Sequence, residues 1–204
     1  MDAGWDGSRR AFGAAAGWFV DTAARVGDRW DRAGLGEWDV RALVGHTSRS
    51  LLTVEAYLAR PAATVELASA LDYFRATSAL AAGPAVAARG REAGVALGAD
   101  PATAVAEIAA RVVPLVDARD GTELLTTIVG GMRLADYLPT RIFELAVHTA
   151  DLATALGVPP EVPPPAATAA LQLVTELAVA GGSAGPLLLA ATGRPAYPAG
   201  FSVL

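Results

Sequence analysis

Leu134-Ala-Asp-Tyr-Leu-Pro-Thr-Arg-Ile-Phe-Glu-Leu-Ala-Val-His-Thr-Ala-Asp-Leu-Ala-Thr-Ala-Leu156, followed by Gly157, is the stretch that decides the fold. Leu138, Ile142, Leu145 and Leu152 recur at helical steps and mark one apolar face. Gly157 is the stop, because glycine takes the left-handed conformation at a helix C-terminus without steric penalty. The helix therefore begins between Leu134 and Pro139 and ends at Leu156. Glu144 and His148 stand one turn apart on it, with Cβ atoms roughly 5–6 Å from one another. A carboxylate and an imidazole so spaced can reach one cation. The same spacing is common in helix-surface pairs, so taken alone it leaves both readings open.

Working outward, the rest of the chain also reads as helices. Phe12, Ala16, Phe19, Ala23, Val26 and Trp30 predict a first helix from about Ser8 to Ala33, ended by Gly34-Leu35-Gly36. Asp39 is a strong N-cap for a second, with Trp38 and Leu43 at hydrophobic-staple spacing. That helix carries the stripe Leu43, Thr47, Leu51, Val54 and Leu58, places His46 at its border, and closes at Pro61. Leu71, Phe74 and Leu80 suggest one further helix, and Pro84 to Leu97 another. Asp100-Pro101 opens a helix buried through Val105, Ile108, Val112 and Leu115, which Pro114 should kink or shorten. Thr122 to Met132 admits a short strand, while Gly130-Gly131 points to a loop.

Val158 to Pro165 is too proline-rich for a helix or central strand and reads as a stiff connector. A helix over about Ala166 to Ala180 and a short one from Pro186 follow. The organisation expected is an all-α, up-and-down helix bundle over residues 1–157, a connector over 158–165 and a short C-terminal helical appendage over 166–204.

Composition narrows the chemistry. With 204 residues, 53% of them hydrophobic, the chain can bury a core without disulfides. It has no cysteine, so any metal must use His, Asp, Glu, backbone or water ligands, and the chain offers no thiol nucleophile. The net charge is −5, and all 16 basic residues are arginines scattered from Arg9 to Arg194, a pattern that argues against nucleic-acid binding. Arg9-Arg10 before Ala11 to Val20 imitates a signal peptide. Asp2 and Asp6 weaken that flank, and the apolar period runs on as an amphipathic helix would. No apolar stretch spans a bilayer, and the expected location is cytoplasmic with no membrane partner.

There are two histidines, and His46 on the second helix can join Glu144 and His148 as a third ligand if the helices are neighbours. Two imidazoles and a carboxylate leave a fourth zinc position open, the pattern of a catalytic site. Asp151, three residues after His148, is placed either to accept its free ring N–H or to be a solvated charge near the helix end. Arg141 is placed to orient Glu144 or meet an anionic substrate, or else to pair with Asp136 or Asp151. Tyr137 and Trp38 read as core residues rather than pocket residues.

Gly36-Glu-Trp-Asp-Val-Arg-Ala-Leu-Val-Gly-His46 and the block from Met132 to Ala153 resemble the two signature blocks of the mycothiol-dependent maleylpyruvate isomerase N-terminal family, within the DinB-like four-helix-bundle superfamily. The ending Thr192 to Leu204 is similar to the tail of short actinobacterial members. The resemblance implies a DinB-like four-helix bundle in which His46, Glu144 and His148 bind zinc or a similar divalent metal. It further implies a low-molecular-weight thiol, mycothiol, as co-substrate. The function expected from it is S-transfer to, or isomerisation of, a small-molecule electrophile. The alternative is a non-catalytic metal-bearing bundle that binds a small ligand or a regulatory partner. The isomerase has a separate C-terminal α/β domain, whereas about forty residues follow the connector here.

Overall fold

The computed structural model describes residues 3–78, 84–194 and 202–204. Its element order is α1 (Ala3–Ala24), β1 (Ala33–Leu35), β2 (Trp38–Asp39), α2 (Val40–Leu58), α3 (Ala70–Thr77), α4 (Pro84–Ala96), α5 (Pro101–Asp117), β3 (Leu124–Thr127), β4 (Gly130–Arg133), α6 (Leu134–Leu156), α7 (Pro164–Ala180) and α8 (Ala184–Ala191). The fold is all-α and DinB-like, and the two small sheets among the described residues are antiparallel hairpins. No described helix is long and apolar enough to cross a membrane.

Helices α1, α2, α5 and α6 form the bundle, with α1 and α2 each packed against both α5 and α6. Trp5 Nε1 donates to Arg119 O and Arg9 Nη1 to Asp117 O, which brings the start of α1 to the end of α5, so the two are antiparallel. Helices α2 and α6 are antiparallel as well. Tyr57 and Thr53 face Tyr137, and His46 lies against His148. Phe12, Phe19, Leu43, Leu51, Leu138, Ile142, Leu145 and Leu152 are fully buried in one core, as the helical spacing of each stripe requires.

The first helix ends at Ala24, well before the expected Ala33. Val26 is nonetheless fully buried and Trp30 packs against the core, so the apolar period continues in chain that has left the helix. Arg29 holds this turn, donating to Val26 O and Leu156 O and pairing with Arg25 O. Gly34 and Gly36 serve the β1–β2 hairpin instead of a helix terminus. Gly36 takes the positive φ of its turn, and a Cβ on Gly34 would lie 2.7 Å from Asp39 O.

The ambiguous stretch before α6 is a hairpin, with Thr127 paired to Gly130. Pro114 lies in the last turn of α5, which continues to Asp117. Pro164 and Pro165, assigned to the connector by the sequence reading, form the first turn of α7, where a missing N–H leaves no bond unmade. Helix α7 packs on α6 and α1. Ala170, Leu173 and Leu177 form a second cluster with Ala70, Phe143 and Ala146. The suggested helix around Leu71 and Phe74 is α3, while Leu80 lies outside the described residues.

Candidate metal centre

Asp39 caps α2, its carboxylate accepting the Ala42 N–H at 2.7 Å, and so starts the helix that places His46 two turns in. Helix α6 runs unbroken through Pro139 to the left-handed Gly157, holding Glu144 and His148 on one face. Because α2 and α6 are antiparallel neighbours, the three side chains converge. Each offers a ligand atom, and those atoms all lie within 4.8 Å of one another. His148 Nε2 is 3.2 Å from Glu144 Oε2, and the His46 and His148 rings meet edge-on at 4.9 Å.

The sequence left Asp151 either beside the His148 ring or in solvent at the helix end, and it lies beside the ring. Its Oδ2 is 3.1 Å from His148 Nδ1, which fixes Nε2 as the nitrogen turned towards Glu144. Trp38 sits against the other side of His46, with centroids 4.5 Å apart. Its indole N–H donates to Ala87 O on α4, and a Cβ on Gly90 would come within 2.6 Å of the ring. Helices α2 and α4 approach so closely that a Cβ on Gly45 would lie 2.1 Å from Gly94 N. Trp38 is thus nearly buried, as a core residue would be, and it also forms a wall of the site.

Of the placements the sequence left open for Arg141, the structure removes the pairing with Asp136 or Asp151. Asp136 pairs with Arg133, and Asp151 with His148. Arg141 is buried, its Nε bonded to Thr140 Oγ1, and its guanidinium stacks on Tyr137 at 5.0 Å and Tyr73 at 5.4 Å. Cation–π contact contributes about 2 kcal/mol when desolvated. The effective penalty for burying an ion is several kcal/mol, so the rings alone do not offset it. Tyr137 is fully buried and donates to Thr53 Oγ1.

Sequence reasoning did not single out Tyr57, Tyr73 or Arg49. The symmetric spacing was available as a signal, with Arg49 three residues after His46 and Arg141 three before Glu144. The tyrosines carried no local signal, since Tyr73 reaches the site from the two-turn α3.

The electrostatics follow from this layout. Burial pushes the His46 imidazole down, and the neighbouring His148 charge adds to that, bringing it to about 4. Burial opposes charge at Glu144 and His148 too, but their mutual contact outweighs it. Glu144 is held low by the hydrogen bond from His148 and the charge of Arg141, and His148 is raised by Asp151 and Glu144. His46 Nδ1 is buried with no hydrogen-bond partner. That orphaned nitrogen, in a set of two imidazoles and one carboxylate, fits a divalent cation of the zinc type.

Fold and site together define an all-helical bundle with a convergent His, Glu and His cluster between two antiparallel helices. The family described as the mycothiol maleylpyruvate isomerase N-terminal domain matches residues 10–153, and the chain belongs to that family. The matched region includes His46, Arg141, Glu144, His148 and Asp151. Comparison with curated proteins and with solved structures gives no match.

Proposed function

We propose that this protein is a metal-dependent enzyme that uses a low-molecular-weight thiol, mycothiol, for S-transfer to, or isomerisation of, a small electrophile in the cytoplasm. Its metal ligands are His46, Glu144 and His148, and its metal is zinc or a similar divalent ion. The observation that carries this reading is the convergence of those three ligand atoms within 4.8 Å. With three protein ligands, a tetrahedral ion keeps one position for an exogenous ligand. A zinc ion there would supply the Lewis acidity that favours a bound thiolate over the thiol.

The chain's own residues prepare the site. Asp151 orients His148 through Nδ1 and leaves Nε2 free to ligate. Trp38 and α4 fix the His46 ring and shield it from water. No cysteine competes, so the reacting sulfur comes from outside the chain.

The test joins metal analysis to turnover. The protein should purify with close to one equivalent of zinc or a similar ion, and His148→Ala should lose most of it. Metal-loaded protein should convert an electrophile, from a panel that includes maleylpyruvate, only when mycothiol is present. Glu144→Gln should slow that reaction. Thiol-independent turnover, or metal content unchanged in His46→Ala, Glu144→Ala and His148→Ala, would overturn the reading.

A further inference from the structure

Below the His, Glu and His cluster, towards the start of α6, lies a group of unspent hydrogen-bond donors. Arg141 sits on the Glu144 face of α6, and its guanidinium reaches back a turn to the ring of Tyr137. Nε is bonded to Thr140, but neither Nη makes a hydrogen bond to any described residue. The rings of Tyr137 and Tyr73 stack against it, and Tyr57 and Tyr73 are centred 5.5 Å and 5.6 Å from Tyr137, so three helices contribute tyrosines here. The hydroxyl of Tyr137 is committed to Thr53, whereas those of Tyr57 and Tyr73 have no hydrogen-bond partner among the described residues.

Further positive charge gathers here in a protein whose net charge is −5. Arg49, half-buried one turn past His46, makes no side-chain ion pair or hydrogen bond among the described residues, and its charge acts on both His46 and Tyr57. Arg60 stacks on the Tyr57 ring at 5.4 Å. A purely structural arginine in a core is expected to have its donors spent on acceptors, because a buried guanidinium without them is penalised. A guanidinium with both Nη groups unbonded, stacked on Tyr73 and close enough to Tyr57 for its charge to act on that phenol, brings together the donor types that match a carboxylate.

We propose that Arg141, with the hydroxyls of Tyr57 and Tyr73, forms a carboxylate-binding subsite adjoining the His46, Glu144 and His148 cluster. The ligand class is a small carboxylic acid whose anionic group lies about one helical turn, roughly 5 Å, from its reacting atom. The inference deepens the thiol-transfer reading by assigning the residues that hold the substrate's anionic group, and it rests on that reading for the reaction itself. Arg141 is a binding residue in this scheme, and Arg49 supplies long-range attraction.

The experiment is calorimetric titration of the full-length, metal-loaded protein with succinate and with succinamide, its uncharged isostere. Succinate should bind at least about tenfold more tightly than succinamide, as one charge-assisted bidentate contact predicts. Arg141→Met should remove that preference with the metal content unchanged, and Arg141→Lys should keep part of it. Tyr57→Phe and Tyr73→Phe keep the rings and should each weaken succinate by about threefold. If Arg141→Met does not fold, the double phenylalanine variant decides.

Equal affinity for the two probes would overturn the subsite. So would succinate binding that vanishes on chelation of the metal yet ignores Arg141, or a double phenylalanine variant identical to wild type. Two thiols locate the carboxylate. If saturating 2-mercaptoethanol leaves succinate binding intact, the subsite serves the electrophile. If N-acetylcysteine displaces succinate in an Arg141-dependent way, the subsite holds the thiol's own carboxylate. A succinate preference that survives in protein lacking thiol-dependent turnover would sink the transfer reading alone, and metal-loaded protein with turnover but no preference would sink the subsite alone.

Discussion

Helices α1 and α5 are built for burial, and helices α2 and α6 for chemistry. The buried faces of α1 and α5 carry Phe12, Phe19, Val105, Ile108 and Val112, and Thr22 is their one buried polar side chain among the described residues. Its hydroxyl is spent on the carbonyl one turn back. Across the bundle, α2 and α6 bury Thr47, Ser48, Ser50, Thr140, Arg141 and Thr149 beside the half-buried His46, Glu144 and His148. Of the three orphaned buried polar atoms among the described residues, two, His46 Nδ1 and Thr149 Oγ1, belong to this second pair. An unsatisfied buried polar group costs about 1–3 kcal/mol. One half of the bundle thus carries a deficit that the other offsets, the division expected when a seam is shaped for something besides protein.

The contrast breaks most sharply at Phe19. Phe19→Ala should destabilise the protein by about 3–5 kcal/mol in urea unfolding, through lost burial and the cavity left behind. Metal bound per folded molecule should stay the same, since Phe19 lies in the apolar half. His46→Ala should do the reverse, emptying the site with the smaller loss of metal-free stability, since that imidazole is neutral and its Nδ1 is unbonded. If Phe19→Ala released the metal while still folded, the two halves would not be independent.

Glycine sharpens the comparison at a second level. Gly45→Ala places a Cβ 2.1 Å from the Gly94 backbone, so α2 and α4 must separate. The expected loss is about 1–3 kcal/mol, with weaker zinc binding because Trp38 and His46 lose their support on α4. Gly17→Ala, at an exposed position of α1, meets nothing within 4 Å. It should stabilise by about 0.5–1 kcal/mol through helix propensity alone and leave zinc affinity unchanged. Urea unfolding and zinc titration of both variants check this.

These elements also separate what the sequence carried from what it did not. The α2 start was legible because Asp39 satisfies a local donor, and the α6 end because Gly157 meets a local conformational demand. The pairing of Glu144 with His148 follows from helix pitch. That His46 joins them is a tertiary fact, reached through the family resemblance and not through spacing. The end of α1 was missed because Val26 and Trp30 keep the helical period while packing from a turn. The contribution of α4 was hidden for a different reason. Its contact with α2 depends on absent side chains, at Gly45, Gly90 and Gly94, which leave no hydrophobic stripe to read.

Within the α2–α6 seam itself, the proton and the metal share one place. His148 Nε2 faces Glu144 Oε2 at 3.2 Å while Nδ1 faces Asp151 Oδ2 at 3.1 Å, and a ring set between two carboxylates favours a cation, either a metal ion or the imidazolium. Without metal that cation is the proton on His148, which Asp151 and Glu144 raise against the opposing effect of burial to about 9. The raised histidine stabilises the metal-free fold fully below its ordinary value of 6.5, and that contribution is lost as pH climbs towards its folded value. Glu144, held low, contributes above its ordinary value of 4.5 and loses that contribution as pH falls through its lowered one. Metal-free stability from the pair should therefore be full between those ordinary values and decline above 6.5. Zinc affinity should run the opposite way, tightening by up to about tenfold, or 1.4 kcal/mol, per pH unit until His148 has lost its proton. His46, lowered to about 4, is already neutral across this range and adds no slope. Asp151→Asn removes the carboxylate that does most to raise His148, so the upper end of the slope should move to lower pH. At alkaline pH, where no proton competes, the same variant should bind zinc about tenfold to a hundredfold more weakly, because His148 has lost the group that orients it. Competition titrations against a chromophoric chelator across this range measure both quantities. A slope whose upper end is indifferent to Asp151 would show that His148 is not the proton-bearing ligand.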